Sequence, residues 1–300
     1  MLFDTSNIII DELHSELLTE KNIKLMAARL DKIHPIISGN KLFKLHYFLE
    51  EAMLEQKPVA TFGGAYSNHL AAAAYSCKLA GLPCTGFVRG EEPIALSPTL
   101  LRCRDDGMQL IFLSREKYKI LSAHPHATDF PQLAADTLMI PEGGYHPEGA
   151  KGASLILNAV AKADADFICI AVGTATTVAG LLRRAATHQQ VIAVPVLKNF
   201  TDWSDRLLHL NGTSAYNNFS TWNEYHFGGY AKKTPALLQF MNEIYKQYEL
   251  PTDFVYTSKL LFAVMDKIKN NWFPQNSKIL CLHTGGLQGN QSLPKGSLIF

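Results

Sequence analysis

The chain has 300 residues, enough for one large domain or for two lobes of ordinary size. Its 28 lysines and arginines nearly balance 27 acidic residues, and 47% of its residues are hydrophobic. This composition gives no electrostatic reason to expect nucleic acid or an anionic membrane as a partner, and it favours a small-molecule substrate.

The N-terminus and the cysteines both indicate a cytoplasmic protein. The segment MLFDTSNIIIDEL has no basic n-region and no long apolar h-region, so we expect no signal peptide, and no apolar run is long enough to cross a bilayer. The cysteines are odd in number and lack CxxC spacing, so neither disulfides nor a metal site is predicted. They are Cys77, Cys84, Cys103, Cys169 and Cys281.

Residues 58–90 contain the first strand–loop–helix unit. Val59–Phe62 reads as a strand, and a Gly-Gly turn follows it. Ser67 or Asn68 is suited to be the N-cap of an alanine-rich helix, because either side chain can accept a free amide hydrogen. Gly81 suits the left-handed position that ends this helix.

A second unit begins at Phe167. Phe167–Val172 is a continuous apolar strand, Gly173–Thr176 a loop, Val178–Ala186 a helix and Val191–Leu197 another buried strand. Strands that alternate with helices predict an α/β fold with open, mainly parallel sheets covered by helices on both faces. Residues 200–230 are polar and aromatic with weak periodicity, so we expect a long irregular connection there.

A third unit, Lys278–His283, is followed by another Gly-rich loop. Ligands of such sheets sit off the carboxyl ends of the strands. The loops Gly63–Asn68, Gly173–Thr177 and Thr284–Gly286 all occupy such positions and share glycine with hydroxyl or amide residues. We expect these loops to converge on one site.

The loop Gly173–Thr177 has the composition of a phosphate cradle. Small residues between a strand and a helix expose backbone N–H groups, and threonine hydroxyls add donors. The loop matches neither the Walker A motif nor the dinucleotide fingerprint GxGxxG. The alternative is a tight turn whose threonines cap the helix.

Lys41 and Lys44 are three residues apart and would share one face of a helix. Two lysines beside an anion site fit a cofactor with an aldehyde and a phosphate, because one amine can form an imine and the other can neutralise phosphate charge. The alternative is that both are ordinary solvated lysines.

Seven motifs carry a resemblance to a known family. They extend from Arg29 to Gly286 and read, in order, RLDKIHPIISGNKLFKL, GGAYSNHLAAA, IPEGGYHPEGAKG, AVGTATTVAG, GGYAK, DFVYTSK and LHTGG. Together they resemble the 1-aminocyclopropane-1-carboxylate deaminase/D-cysteine desulfhydrase family of fold type II enzymes that use pyridoxal phosphate. The resemblance implies a homodimer of two-lobed subunits, with residues 45–150 as a small inserted domain and residues 1–44 plus 151–300 as the large cofactor-binding domain.

The resemblance also implies roles for individual residues. Lys41 corresponds to the Schiff-base lysine, Lys44 to a second lysine near the phosphate, and Asn68 to the partner of the cofactor's 3′-oxygen. The implied catalytic group is Lys41, Ser67, Tyr230 and Tyr256. The implied cofactor contacts are Lys41, Lys44, Asn68, Gly173, Thr174, Ala175, Thr176, Thr177, Tyr256 and Thr284. His69 and His283 receive no role, and Pro141–Gly144 is interpreted as a turn between the lobes.

Two threonines bear on the reaction. The deaminases typically carry a glutamate at the position of Thr257 and a leucine at that of Thr284, whereas the desulfhydrases carry hydroxyl residues. A hydroxyl beside the pyridine nitrogen makes the cofactor a milder electron sink, sufficient for α,β-elimination. We therefore expect D-cysteine to be converted to pyruvate, ammonia and hydrogen sulfide. The alternatives are the cyclopropane deaminase, another amino-acid substrate, a binder without turnover, and a nucleotide-binding α/β protein.

Overall fold

The computed structural model describes residues 5, 8–34, 37 and 39–300, so Ser38, just before the lysine motif, lies outside the described residues. The strands of the described part are β1 (Ile10–Leu13), β2 (Lys24–Arg29), β3 (Val59–Gly63), β4 (Cys84–Arg89), β5 (Met108–Leu113), β6 (Leu138–Ile140), β7 (Phe167–Val172), β8 (Gln190–Pro195), β9 (Phe219–Thr221) and β10 (Lys278–His283). The α-helices are α1 (Glu16–Lys21), α2 (Asn40–Glu55), α3 (Asn68–Ala80), α4 (Pro98–Asp105), α5 (Arg115–Leu121), α6 (Pro147–Ala159), α7 (Thr176–Leu182), α8 (Trp203–Asn211), α9 (Pro235–Tyr248) and α10 (Thr257–Lys269).

The larger sheet has six strands in the order β1-β2-β10-β7-β8-β9. Strand β1 is antiparallel to β2, and the other neighbours pair in parallel. The central strands β7 and β10 are buried along almost their whole length, as expected for parallel strands covered on both faces. This arrangement confirms the predicted α/β class.

The smaller sheet has four parallel strands in the order β5-β4-β3-β6. All four strands lie between residues 59 and 140, and one hydrophobic core contains residues of both sheets, among them Val59 and Ile170. The predicted domain limits, residues 45 and 150, each fall inside a helix, α2 and α6 respectively. The division into two domains stays a prediction.

Helix α6 packs closely against both α2 and α7. A β-carbon placed on Gly152 of α6 would lie 2.0 Å from the carbonyl oxygen of Phe43 in α2, so only glycine allows the two backbones to approach this closely. Because α2 carries Lys41 and Lys44 and α7 follows the loop Gly173–Thr177, this contact sets the position of the lysines relative to that loop.

Most local predictions are confirmed. The strands β7 and β10 have the predicted bounds, the Ser67 hydroxyl accepts from the Leu70 amide at 3.2 Å as the N-cap of α3, and Gly81 ends that helix with φ 68°. The predicted helix Val178–Ala186 is instead α7, which ends at Leu182. Near this end, the carbonyl of Ala179 accepts from the Arg183 amide at 3.2 Å and also from Nδ2 of Asn211 in α8 at 2.8 Å, a contact between distant parts of the chain.

The expectation of an irregular connection over residues 200–230 is wrong. This segment contains α8 and β9, and Leu207 and Leu210, three residues apart in α8, are both buried. A nine-residue helix with two core positions leaves little periodic signal in the sequence. Its apolar face is recognised only from the structure, where α8 packs against α6 and α7. None of the described helices has the length and apolar character needed to cross a membrane.

Candidate active site

A cavity of about 1100 Å³ opens where β3, β7 and β10 end. The three Gly-rich loops predicted to converge all contribute to its wall, together with Lys41 and Lys44. The convergence is therefore confirmed. Within the larger sheet it follows from the parallel order, which brings the carboxyl ends of the neighbouring strands β7 and β10 to one edge, and the loop after β3 of the smaller sheet meets them there.

Lys41 lies in the first turn of α2, and its Nζ donates to Oδ1 of Asn40 at 3.1 Å. Burial lowers the pKa of Lys41 from its usual 10.5 to about 8, although the nearby carboxylate of Asp253 opposes the shift. The amine is consequently neutral in a substantial fraction of molecules near neutral pH, which is the form that reacts with an aldehyde or accepts a proton.

The start of α2 is held against the loop that follows β10. Gly39 has φ 84°, and a β-carbon there would lie 1.9 Å from the carbonyl oxygen of Thr284, so the position requires glycine. Beside it, Nδ2 of Asn40 donates to Oγ1 of Thr177 at 2.8 Å. These contacts attach the lysine-bearing turn both to the loop of Thr284, which lines the cavity, and to the predicted phosphate loop.

Lys44 is buried and donates from Nζ to the carbonyl oxygen of Gly143 at 3.2 Å. Burial first, and then the neighbouring Lys41, hold the pKa of Lys44 well below its usual value. The turn Glu142–Gly144 lines the cavity beside it. The segment is a turn, as interpreted from the sequence, and it also positions a lysine of the site.

The loop Gly173–Thr177 presents backbone and hydroxyl groups to the cavity. Ala175 adopts the left-handed conformation, with φ 66°, which turns the chain into α7. Thr174 and Thr177 line the cavity, whereas Thr176 is completely buried and shares a hydrogen bond of 2.9 Å with the Thr174 hydroxyl. The Thr176 side chain thus supports the loop from behind, and the predicted contact of this residue with the cofactor stays a prediction.

Asn68 and His69 follow the Ser67 cap and present two acceptor atoms without partners among the described residues, Oδ1 of Asn68 and Nδ1 of His69. The His69 tautomer follows from its neighbour. Oγ1 of Thr61 donates to the Ile140 carbonyl at 2.8 Å, so it accepts from Nε2 of His69 at 2.9 Å. Burial, with Lys41 and Lys44 nearby, lowers the pKa of His69 to about 3, and the ring therefore stays neutral.

Two tyrosines face each other at the cavity. The ring centroids of Tyr230 and Tyr256 are 6.1 Å apart in an edge-to-face arrangement, and the Tyr256 hydroxyl lies 3.4 Å from a β-carbon placed on Gly173. Burial raises the pKa of both hydroxyls, and the neighbouring Tyr230 raises that of Tyr256 further. Both therefore remain protonated and act as donors near neutral pH.

Asp253 is a cavity residue that the sequence reasoning missed. Its carboxylate is fully buried, with Oδ2 accepting from the amides of Val255 and Tyr256, both at 2.9 Å. Its Oδ1 accepts from the Thr257 amide at 2.8 Å and the Thr257 hydroxyl at 2.7 Å. The sequence did contain a signal for this role. An aspartate shortly before the start of a helix commonly accepts hydrogen bonds from the first amides of that helix, and Asp253 precedes the VYTSK segment.

Thr257 requires a correction. Its hydroxyl donates to Asp253 and also accepts from the Asp253 amide at 2.8 Å, and the residue is not part of the cavity wall. The expectation that Thr257 presents a hydroxyl to the cofactor ring is therefore wrong. Of the two threonines that distinguish this chain from the deaminase pattern, Thr284 is the one that lines the cavity.

His283 belongs to a buried ionic cluster behind the site. Its Nδ1 lies 2.9 Å from Oδ1 of Asp31 and its Nε2 lies 2.7 Å from the Pro251 carbonyl oxygen. Arg29 binds Asp31 with two nitrogens, at 2.9 and 2.7 Å. The cluster joins β2, β10 and the segment before Asp253. His283 therefore has a structural role, next to the loop of Thr284.

The residues present fit pyridoxal phosphate. A lysine amine with a lowered pKa can engage its aldehyde, and Lys44 with the loop Gly173–Thr177 supplies cationic, hydroxyl and backbone donors for its phosphate. The buried Oδ1 of Asn68 without a partner is the kind of polar atom that a bound ligand satisfies. Within the described residues, no group of histidine, cysteine and acidic side chains is arranged to hold a metal ion.

Comparisons with known proteins agree with this fit. The family described as pyridoxal-phosphate dependent enzyme matches residues 13–285. A Thermotoga maritima protein provisionally named 1-aminocyclopropane-1-carboxylate deaminase is 28% identical over 300 aligned residues, which cover 91% of this chain and 92% of the relative. A Yersinia enterocolitica protein named D-cysteine desulfhydrase is 24% identical over 281 residues, which cover 85% of this chain and 84% of the relative.

The fold comparison gives the same result. A crystal structure described as that of a 1-aminocyclopropane-1-carboxylate deaminase homologue matches with a TM-score of 0.79, covering 96% of this chain and 92% of the other, at 22% identity. These likenesses confirm the resemblance inferred from the seven motifs. The chain therefore belongs to the family of pyridoxal-phosphate dependent enzymes, and pyridoxal phosphate is its cofactor.

Proposed function

We propose that the protein catalyses α,β-elimination from a small D-amino acid, with D-cysteine as the substrate. The products are pyruvate, ammonia and hydrogen sulfide. The observation that carries the proposal is the combination at one cavity of a half-buried Lys41 with a lowered pKa, a pair of protonated tyrosines and the Thr284 hydroxyl. A relative named D-cysteine desulfhydrase supports this choice of substrate.

When bound, pyridoxal phosphate supplies the electron sink that makes the substrate Cα–H bond acidic. Lys44 and the loop Gly173–Thr177 would hold its phosphate, and Asn68 would bind its ring oxygen. Thr284 places a hydroxyl in the cavity wall, at the position where the deaminases typically carry leucine. This departure from the deaminase pattern favours elimination over opening of a cyclopropane ring.

Lys41 is the proton acceptor in this proposal. Its pKa of about 8 leaves a useful fraction of neutral amine near neutral pH, and this amine removes the proton from Cα. His69 is a poorer candidate, because its Nε2 proton is committed to Thr61 and its pKa of about 3 makes its Nδ1 a weak base. The Cβ–S bond then breaks, and the sulfur leaves with the bonding electron pair as hydrosulfide.

The tyrosine hydroxyls are the proton donors. Burial raises the pKa of Tyr256 and keeps its hydroxyl protonated, so it can deliver a proton to the departing sulfur. The Tyr230 ring packs edge-to-face against that of Tyr256, with centroids 6.1 Å apart, and orients it. Ser67 accepts the Leu70 amide hydrogen as a helix cap, which leaves its own proton free for the substrate carboxylate. Water then converts the released enamine to pyruvate and ammonia.

The decisive test compares substrates on the purified enzyme loaded with cofactor. D-cysteine should release pyruvate and sulfide in equal amounts, with no product from D-serine or L-cysteine. Lys41→Ala should abolish both the visible absorbance of the bound cofactor and the turnover. Product from 1-aminocyclopropane-1-carboxylate instead of D-cysteine would assign the deaminase, the activity provisionally given to the Thermotoga maritima relative. No product from any of these would reject elimination as the function.

We further propose that residues 45–150 form the small domain, that the enzyme is a homodimer and that it works in the cytoplasm. The confinement of the four-stranded sheet to residues 59–140 supports the domain division. The five cysteines are all buried free thiols, as suits a reducing compartment. Sedimentation of the purified protein tests the dimer.

A further inference from the structure

Lys259 is a buried lysine that no step of the proposed mechanism uses. Its side chain is completely buried in α10, and its Nζ donates to the carbonyl oxygens of His226 and Gly229 at 2.9 and 2.8 Å. Burial lowers its pKa to about 8, against the opposing effect of Asp253. Burial disfavours the charged form of a lysine, so a buried lysine is expected to make specific hydrogen bonds that compensate for the lost hydration.

The segment that Lys259 holds is the one that leads into Tyr230. Its backbone is in the left-handed region at three consecutive residues, Phe227 with φ 51°, Gly228 with φ 90° and Gly229 with φ 117°. A run of this kind is held by contacts from outside itself, because a non-glycine residue there is strained. Tyr230 itself is 50% exposed, so its own burial does little to fix the segment.

Lys259 also has a fixed relation to the second tyrosine. Tyr256 is the N-cap of α10, and Lys259 lies three residues later, at the start of the same helix. The helix α10 therefore begins directly after Tyr256. The Lys259 ammonium on the same helix binds the loop that carries Tyr230. The edge-to-face separation of 6.1 Å between the two rings depends on both attachments.

We propose that Lys259 is a positioning residue that aligns Tyr230 with Tyr256 by binding the carbonyl oxygens of His226 and Gly229. It acts through the loop and touches neither substrate nor cofactor. The inference rests on the proton-donor role of the tyrosine pair in the proposed function, but its structural part, the attachment of the loop by Lys259, stands apart from any reaction.

The test compares Lys259→Met with Lys267→Met. Methionine keeps the length and apolar character of the buried stem and removes the donors. Lys267 is the matched control, because it lies on the same helix and binds Glu224 of the neighbouring segment at 2.9 Å, without contacting the loop carbonyls. Both variants are first checked for native circular dichroism and for cofactor affinity, which should stay within about threefold of the original protein.

The first readout is independent of activity. Hydrogen exchange of the amides of residues 227–231 should accelerate by about tenfold or more in Lys259→Met, with or without cofactor, and stay unchanged in Lys267→Met. Unchanged protection in Lys259→Met overturns the proposal, whatever the substrate of the enzyme. If that variant does not fold, Lys259→Gln replaces it, since glutamine stays polar but its shorter side chain cannot hold both carbonyl oxygens that Nζ binds, and the same acceleration is required.

The second readout is a double-mutant cycle on turnover with the substrate found above. Lys259→Met should lower kcat by about 10- to 100-fold with a smaller change in KM, the effect of misplacing a reacting group. In a Tyr230→Phe background the same substitution should have almost no further effect, because both changes remove one function. Independent, multiplicative losses, or a loosened loop with kcat unchanged, would overturn the positioning role.

Discussion

Replacement of Asp253 by asparagine provides the sharpest test of the site's architecture. The carboxylate accepts four hydrogen bonds within one turn, from the amides of Val255, Tyr256 and Thr257 and from the Thr257 hydroxyl. The side chain is fully buried, so water cannot replace a lost partner. Each carboxylate oxygen accepts two of these bonds. Asparagine keeps one oxygen but replaces the other with an NH₂ group, which cannot accept, so two donors lose their partner.

The expected magnitude follows from these contacts. A hydrogen bond to a charged group contributes about 1.5–3 kcal/mol, and buried donors left without partners add a desolvation cost. With two of the four bonds lost, Asp253→Asn should lower the free energy of unfolding by about 3–5 kcal/mol. Thr257→Val, which removes one donor and one acceptor, should lower it by about 1–2 kcal/mol.

The assay is urea denaturation of the protein without cofactor, followed by far-UV circular dichroism. Asp266→Asn, on the helix α10 that follows Asp253, is the matched control, because that partly exposed carboxylate binds the Tyr225 hydroxyl at 2.6 Å and should contribute only about 1 kcal/mol. A loss below about 1 kcal/mol for Asp253→Asn would refute the reasoning. The variant should also have a lower pKa at Lys41, because Asp253 raises it, and this is measurable as a shift in the pH dependence of cofactor binding.

Three further predictions concern packing, capping and pH. Gly152→Ala should separate α2 from α6, because the new methyl group would meet the Phe43 carbonyl at 2.0 Å; a fall of several degrees in Tm and weaker cofactor binding are expected. Ser67→Ala should lower the unfolding free energy by about 1 kcal/mol through loss of the Leu70 cap, a stability effect that urea denaturation separates from any loss of kcat. Burial raises the pKa of Asp31, but hydrogen bonds from His283 and Arg29 outweigh this effect and hold the pKa of Asp31 below the usual range. Its stabilising contribution is therefore complete above about pH 4 and is lost as the pH falls, and Asp31→Asn should flatten the unfolding free energy measured across that range.

Much of the site could be predicted from the sequence because its parts are local. A strand, a Gly-rich loop and a helix cap each have a signal within a few residues, so β7, β10 and the Ser67 cap of α3 were predicted correctly. The convergence of the loops followed from the parallel order of such sheets. Lys41 needed only its motif and its place at the start of a helix.

Other features depended on partners distant in the chain. Asn211 of α8 contacts the Ala179 carbonyl near the end of α7, and Lys259 binds carbonyl groups about thirty residues before it. Thr257 was misassigned because the direction of its hydroxyl depends on the turn built around Asp253, which no local pattern records. The sequence alone determined the family and the cofactor, since these follow from short motifs in order, and the same motifs predict Lys41 as the lysine that binds the cofactor. Only the tertiary structure decided which hydroxyls reach the cavity and what holds the tyrosines in place, since both depend on three-dimensional contacts between segments.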